Sequence, residues 1–158
     1  MTDVDHNPNC PELWDQQGCT LCQAEKYAEA IAAFDQAIAL DPNYCQAWNN
    51  RGNVLGGLKR YAEALASYDR AVAIQPNYHQ AWFNRGLLLA EMMAYGNALA
   101  SYERAIAIHP DPRYLHAKDG IWLKKKLFAS WITRILNKQD LGKSCCFIRF
   151  TSISTLKI

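Results

Sequence analysis

Gln46-Ala47-Trp48-Asn49-Asn50-Arg51-Gly52 recurs as Gln80-Ala81-Trp82-Phe83-Asn84-Arg85-Gly86. The next stretch, Tyr61-Ala62-Glu63-Ala64-Leu65-Ala66-Ser67-Tyr68, recurs as Tyr95-Gly96-Asn97-Ala98-Leu99-Ala100-Ser101-Tyr102, and Pro76 recurs as Pro110. Each pair lies 34 residues apart. One interval earlier stand Trp14, Gly18, Tyr27, Ala30, Phe34, Ala37 and Pro42. One interval later Gly120 keeps the register, but His116 replaces the tryptophan and Ile132 the alanine. A fixed period of this length marks a stacked repeat array.

The residue types fit such an array. Gly52 and Gly86 fall mid-helix, where glycine costs roughly 1 kcal/mol relative to alanine. The missing side chain lets a partner helix approach, and Ala64 and Ala98 are expected to meet it. Trp48, Trp82, Tyr68 and Tyr102 then fill the remaining volume. Pro42, Pro76 and Pro110 end the second helix of each unit, and Asn43-x-x-Gln46 and Asn77-x-x-Gln80 have the form of capping boxes for the next. The first unit is expected to run from Pro11, turn near Glu25-Lys26, and return from Tyr27 to Leu40. Each helix pair has an apolar face that only a stacked neighbour can bury.

These residues are similar to the tetratricopeptide repeat, whose signature is Trp, Leu-Gly, Tyr, then Ala, Phe, Ala and Pro. The match covers repeats 11–44, 45–78 and 79–112, and departs at the position before the glycine, where Gln17, Arg51 and Arg85 replace leucine. The expected fold is all-α, a right-handed α-solenoid of three helix-turn-helix repeats. A polar lead over residues 1–10 precedes them. A C-terminal capping helix or degenerate fourth repeat over 113–138 follows, then an irregular basic tail over 139–158. Lys124-Lys125-Lys126 occupies the place of the fourth turn, so one long helix or two both fit.

The net charge of +2 over 158 residues hides a division. Residues 1–112 carry 7 Lys and Arg against 13 Asp and Glu, whereas residues 113–158 carry 10 against 2. An acidic array is joined to a basic tail. The first ten residues lack a signal-peptide pattern, and no run reaches the roughly 18 apolar residues that span a membrane. Six cysteines in an alanine-rich helical chain without a secretory signal read as reduced thiols, which points to a cytoplasmic protein.

No catalytic constellation emerges. A Gly-rich phosphate loop, a nucleophile–base pair and paired carboxylates are all missing from the pattern, so the chain is expected not to be an enzyme. Cys19-x-x-Cys22 lacks a second ligand pair at zinc spacing, so no metal and no cofactor are expected. His6, His79 and His109 are far apart in sequence and read as isolated. The informative polar set lies on the first helix of each repeat, where Gln16, Asn50, Asn84 and Lys118 share one repeat position.

That column resembles the asparagine ladder of O-linked N-acetylglucosamine transferase, which implies contact with an extended peptide backbone in a concave groove. The carboxylate clamp of chaperone-binding repeats is a second precedent. Set one repeat along, it matches Asn53 and Asn84, with Lys118 as a partial substitute for a cation. The expected partner is therefore a protein or peptide, held by Asn49, Asn50, Asn53 and Asn84 with Arg85 and Lys118 as flanking charge; no nucleic acid is expected. The alternative is a membrane surface, met by Lys118, Lys124, Lys125, Lys126, Arg134 and Lys138 with Trp122, Phe128, Trp131, Ile132 and Ile135. The same apolar residues would also serve as a cap on the last repeat, and that assignment is preferred because an uncovered end leaves a large apolar patch.

Overall fold

The computed structural model describes residues 10–139, with side chains to residue 133. The expected lead and tail fall, but for their innermost residues, outside that range. Among the described residues every element is a helix. The first hairpin is α1 (Pro11–Gln23) and α2 (Tyr27–Leu40), the second α3 (Cys45–Gly57) and α4 (Tyr61–Ile74), the third α5 (His79–Glu91) and α6 (Tyr95–Ile108). A single longer helix, α7, runs Pro112–Gln139 straight through Lys124-Lys125-Lys126. Each hairpin packs on itself, α2 packs on α3, and α4 on α5, so the array is an all-α solenoid. The chain divides into two compact units after Lys124.

The turn within each hairpin is the same device used three times. Glu25, Lys59 and Met93 adopt φ near 60°, the left-handed conformation that ends a helix in a Schellman turn. In the second hairpin Lys59 N–H donates to Gly56 O and Arg60 N–H to Leu55 O, both at 2.9 Å. Between hairpins the expected capping boxes do not form. The helices start one residue later than that motif requires, with Tyr44 and Tyr78 as N-caps and no side-chain cap bond. The tryptophans tie the link instead: Trp48 Nε1 donates to Pro42 O at 3.0 Å and Trp82 Nε1 to Pro76 O at 2.9 Å.

The close approach inside each hairpin involves an aromatic ring, not the alanine expected opposite the glycine. A Cβ on Gly18 would lie 2.5 Å from the Phe34 ring, on Gly52 2.7 Å from Tyr68, and on Gly86 2.5 Å from Tyr102. The rings lie flat over the bare helix backbone and are almost wholly buried. Ala64 and Ala98 are fully buried beside them. One core cluster, Leu55, Ala64, Tyr68 and Leu88, bridges the second and third hairpins.

The next cluster, Leu89, Ala98, Tyr102 and Ile121, joins α5 and α6 to the first half of α7. Here the register slips. Helix α7 starts 33 residues after α5, because Asp111 and Pro112 form an N-cap and first-turn proline in a link one residue shorter than Gln75–Tyr78. Asp111 Oδ1 accepts the Arg113 N–H at 2.8 Å, and the Arg113 side chain grips the same carboxylate at 2.6–3.1 Å. Gly120 therefore falls out of the glycine position, and a Cβ there would meet open space. Among the described residues of α7, Tyr114 and Ile121 are the ones buried. Trp122, Phe128 and Trp131, assigned from sequence to the cap, are each 53% exposed, and Ile132 is exposed as well. Within the unit that ends at Lys124, the cover of the last hairpin is therefore Tyr114 and Ile121 rather than Trp122, and Ile135 lies outside the residues whose side chains are described.

In the second unit the described residues are the remainder of α7. Leu127 is exposed, the rings of Phe128 and Trp131 stack at 6.1 Å, and the Thr133 hydroxyl donates to Ala129 O at 2.9 Å.

Candidate functional site

The first helices of the array, α1, α3 and α5, present three successive recesses. The first, of about 410 Å³, opens between α1 and α3 and is lined by Cys19, Cys22, Asn50 and Asn53 over the Phe34 ring. The second, of about 210 Å³, lies between α3 and α5, lined by Asn53, Tyr68, Asn84, Leu87, Leu88 and Glu91. The third, of about 430 Å³, lies between α5 and the start of α7, where Leu87 and Glu91 meet Tyr102, His116, Ile121 and Lys124. Asn53 is shared by the first two and Leu87 and Glu91 by the last two, so the recesses form one groove.

The asparagines tie these helices together. Asn84 Nδ2 donates to Asn49 Oδ1 and Asn53 Oδ1, both at 3.0 Å. One repeat earlier Asn50 Nδ2 donates to Asp15 Oδ1 at 2.9 Å and lies 3.7 Å from Cys19 Sγ. Asn49 is only 4% exposed, and its Nδ2 donates to Asn50 Oδ1 at 3.3 Å. Tyr68 donates its hydroxyl to Asn53 Oδ1 at 2.8 Å. The column read as groove contacts is also a chain of inter-repeat bonds, since an amide on one helix reaches the helix behind it at the solenoid spacing. Among the described residues, Asn53 Nδ2 and Asn84 Oδ1 keep no partner, and both residues line the second recess.

The two flanking cations lie elsewhere. Arg85 Nε donates to Asp69 Oδ1 at 2.6 Å on α4 and its Nη1 to the Ser101 hydroxyl at 2.7 Å on α6. Arg51 does the same one repeat earlier with Asp35 and Ser67. The slipped register puts Lys118 in the equivalent place, 3.4 Å from Glu103. All three cations are held against second helices. Burial raises the Asp15 carboxyl above its usual range against the opposing Asn50 bond, and burial likewise raises the Cys19 and Cys22 thiols, with the Asp15 charge adding to both. Those two cysteines are poor thiolates, and no metal-holding group of His, Cys, Asp and Glu exists among the described residues.

Two of the histidines expected to be isolated, His79 and His109, are not, and His6 lies outside the described residues. The His79 and His109 rings lie with centroids 4.6 Å apart, tilted by 31°, and His79 Nδ1 lies 2.8 Å from the Tyr114 hydroxyl. They meet because α5 and the α6–α7 link start side by side, a pairing across 30 residues that local reading misses.

Glu91, Leu87 and Leu88 also escaped the sequence reading. Their signal was available: they stand three, four and seven residues after Asn84, on the same face of α5.

Two tetratricopeptide repeat models match the sequence, one over residues 16–79 and one over 53–117. The chain belongs to the tetratricopeptide repeat family. Among solved structures, the first tetratricopeptide domain of Spaghetti (RPAP3) bound to the HSP90 peptide SRMEEVD is similar at a TM-score of 0.71 and 23% identity, covering 73% of this chain and 93% of that one. The Arabidopsis OM64 tetratricopeptide domain gives a TM-score of 0.70 at 18% identity, over 73% of this chain and 96% of that one. At these identities the likeness is one of fold. No curated protein matches the sequence. Among the described residues no helix of this tetratricopeptide array is long and apolar enough to cross a membrane.

Proposed function

We propose that this chain is a non-enzymatic adaptor that holds a peptide segment of a partner protein along the groove of α1, α3 and α5. The observation that carries this reading is the continuous row of recesses, joined by Asn53, Leu87 and Glu91. In it, Asn53 Nδ2 and Asn84 Oδ1 face a partner backbone as donor and acceptor, each worth about 0.5–1.5 kcal/mol net. Asn49 and Asn50 keep α3 at the spacing the groove needs, while Arg85 and Lys118 fix the helices behind it. The relative solved with the HSP90 peptide supports a peptide-binding use of this fold.

The test is an array of short immobilised peptides probed with the full chain and with Leu87→Asn. That substitution strips apolar surface from two recesses at unchanged charge. Retention should fall sharply across the array; equal retention would place the site elsewhere.

A second reading rests on the exposed residues of α7, where Trp122, Leu123, Leu127, Phe128 and Trp131 accompany Lys124, Lys125 and Lys126. Such a helix suits an anionic membrane surface, with each cation near the surface contributing about 1 kcal/mol. Sedimentation with vesicles containing anionic lipid should then be lost at high salt and in Phe128→Ser/Trp131→Ser. Vesicle binding that survives both would remove this reading.

A further inference from the structure

The charges around the groove bear on which kind of segment an adaptor of this shape would hold. Glu91 is exposed at the boundary of the second and third recesses and has no ion-pair partner among the described residues. Beside it in the third recess is Tyr102, whose ring is buried under Gly86 and whose residue is 1% exposed. The Tyr102 hydroxyl has no hydrogen-bond partner among the described residues, so a nearly buried polar group opens onto the same space. On the other side, in the second recess, stands the unpartnered Asn84 Oδ1. A carboxylate, a carbonyl and a hydroxyl oxygen thus line one stretch of groove.

The cations that could have balanced them are turned away. Arg51 and Arg85 are committed to Asp35, Ser67, Asp69 and Ser101, and Lys118 to Glu103. No Lys or Arg lines the first or second recess, and Asp15 adds a further acid behind the first through its bond to Asn50. Lys124 is the single cation among the lining residues, and it sits at the far end of the third recess. The acidic peptide seen on the similar fold, SRMEEVD, would bring carboxylates to a surface already rich in acceptors.

Building on the adaptor reading, we propose that the partner segment is basic, with an arginine or lysine side chain seated at Glu91 between Leu87 and Tyr102. An arginine fits best, because its five donors can serve the Glu91 carboxylate, Asn84 Oδ1 and the Tyr102 hydroxyl together. Leu87 and Leu88 take the apolar part of its stem and of the neighbouring residues.

A random-sequence peptide array probed with the full chain tests this, alongside Glu91→Gln, Glu91→Lys and Glu29→Gln. Retained peptides should be enriched in arginine and lysine. The enrichment should vanish with Glu91→Gln, turn toward aspartate and glutamate with Glu91→Lys, and persist with Glu29→Gln, which removes an equal charge outside the recesses. For the strongest retained peptide, Glu91→Gln should weaken binding about tenfold or more by fluorescence anisotropy. Enrichment that Glu91→Gln leaves intact, or that Glu29→Gln abolishes equally, overturns the basic anchor while the groove stands. Retention that is lost with Leu87→Asn but shows no basic preference does the same. No retention of any peptide overturns the anchor and the adaptor reading together.

Discussion

A glycine mid-helix is a cost that only a close contact repays, and here the contact is a ring lying on the backbone. Gly86→Val should lower stability by about 1–3 kcal/mol, because its branches would drive the Tyr102 ring out of the cluster it shares with Leu89 and Ile121. A urea melt that matches the parent would show that ring and helix have room to separate. The period revealed the glycine and the aromatic separately, but not that they touch: their pairing depends on how two helices rotate about each other. The same limit hid the histidine pair. Burial holds His79 below its ordinary pKa, the neighbouring His109 and Arg113 charges push the same way, and Asp111 opposes them. The unfolded chain therefore takes up the proton first as pH falls below about 6.5, and the folded state loses stability from there down to the lowered value. The melting temperature of the parent should drop across that window more than that of His79→Gln. Equal drops would mean that the pair is not what responds.

At the scale of helices, the repeat period was legible because it is written in side chains, and the slip at α7 was not, because it is decided by one link. Asp111-Pro112 is a stronger start signal than the period, and it carries Lys118 from the asparagine column into the place of Arg85. The arginine position itself departs from the repeat signature, and it reads clearly once the second helices are in view. Leucine there would bury carbon; arginine links Asp69 on α4 to Ser101 on α6 with two separate donors. Ser101 in turn donates to Asn97 O at 2.9 Å, so the bond fixes α6 as well as joining it. Lysine, a single compact charge, cannot serve both acceptors in that geometry. Arg85→Lys should cost about 1–2 kcal/mol by denaturant midpoint despite keeping the charge. A variant as stable as the parent would leave the fork without a structural task.

For the whole molecule, the question is where the array ends. An open solenoid exposes the apolar face of its last hairpin, and something must cover it. The sequence pointed to the tryptophan and isoleucine side chains of 122–135, since they are large and helically spaced. Spacing shows that residues share a face, not what that face meets. The cover is Tyr114, Ala117 and Ile121, within the first ten residues of α7, and Ile121 sits against Tyr102 and Leu89. Two truncations should therefore differ. Removing residues 125–158 keeps every buried residue of the array, so its melting temperature should stay within a few degrees of the full chain. Removing 112–158 uncovers Tyr102, Leu89 and the partly buried Phe83 and takes away Tyr114 and Ile121, whose burial is worth roughly 1.5–3 kcal/mol each as an upper figure. That is a large share of the roughly 5–15 kcal/mol typical of a domain, so the shorter form should melt far lower or aggregate. If both truncations are lost alike, the residues beyond Lys124 hold the array after all, and the exposed residues of α7 are not free to meet a membrane.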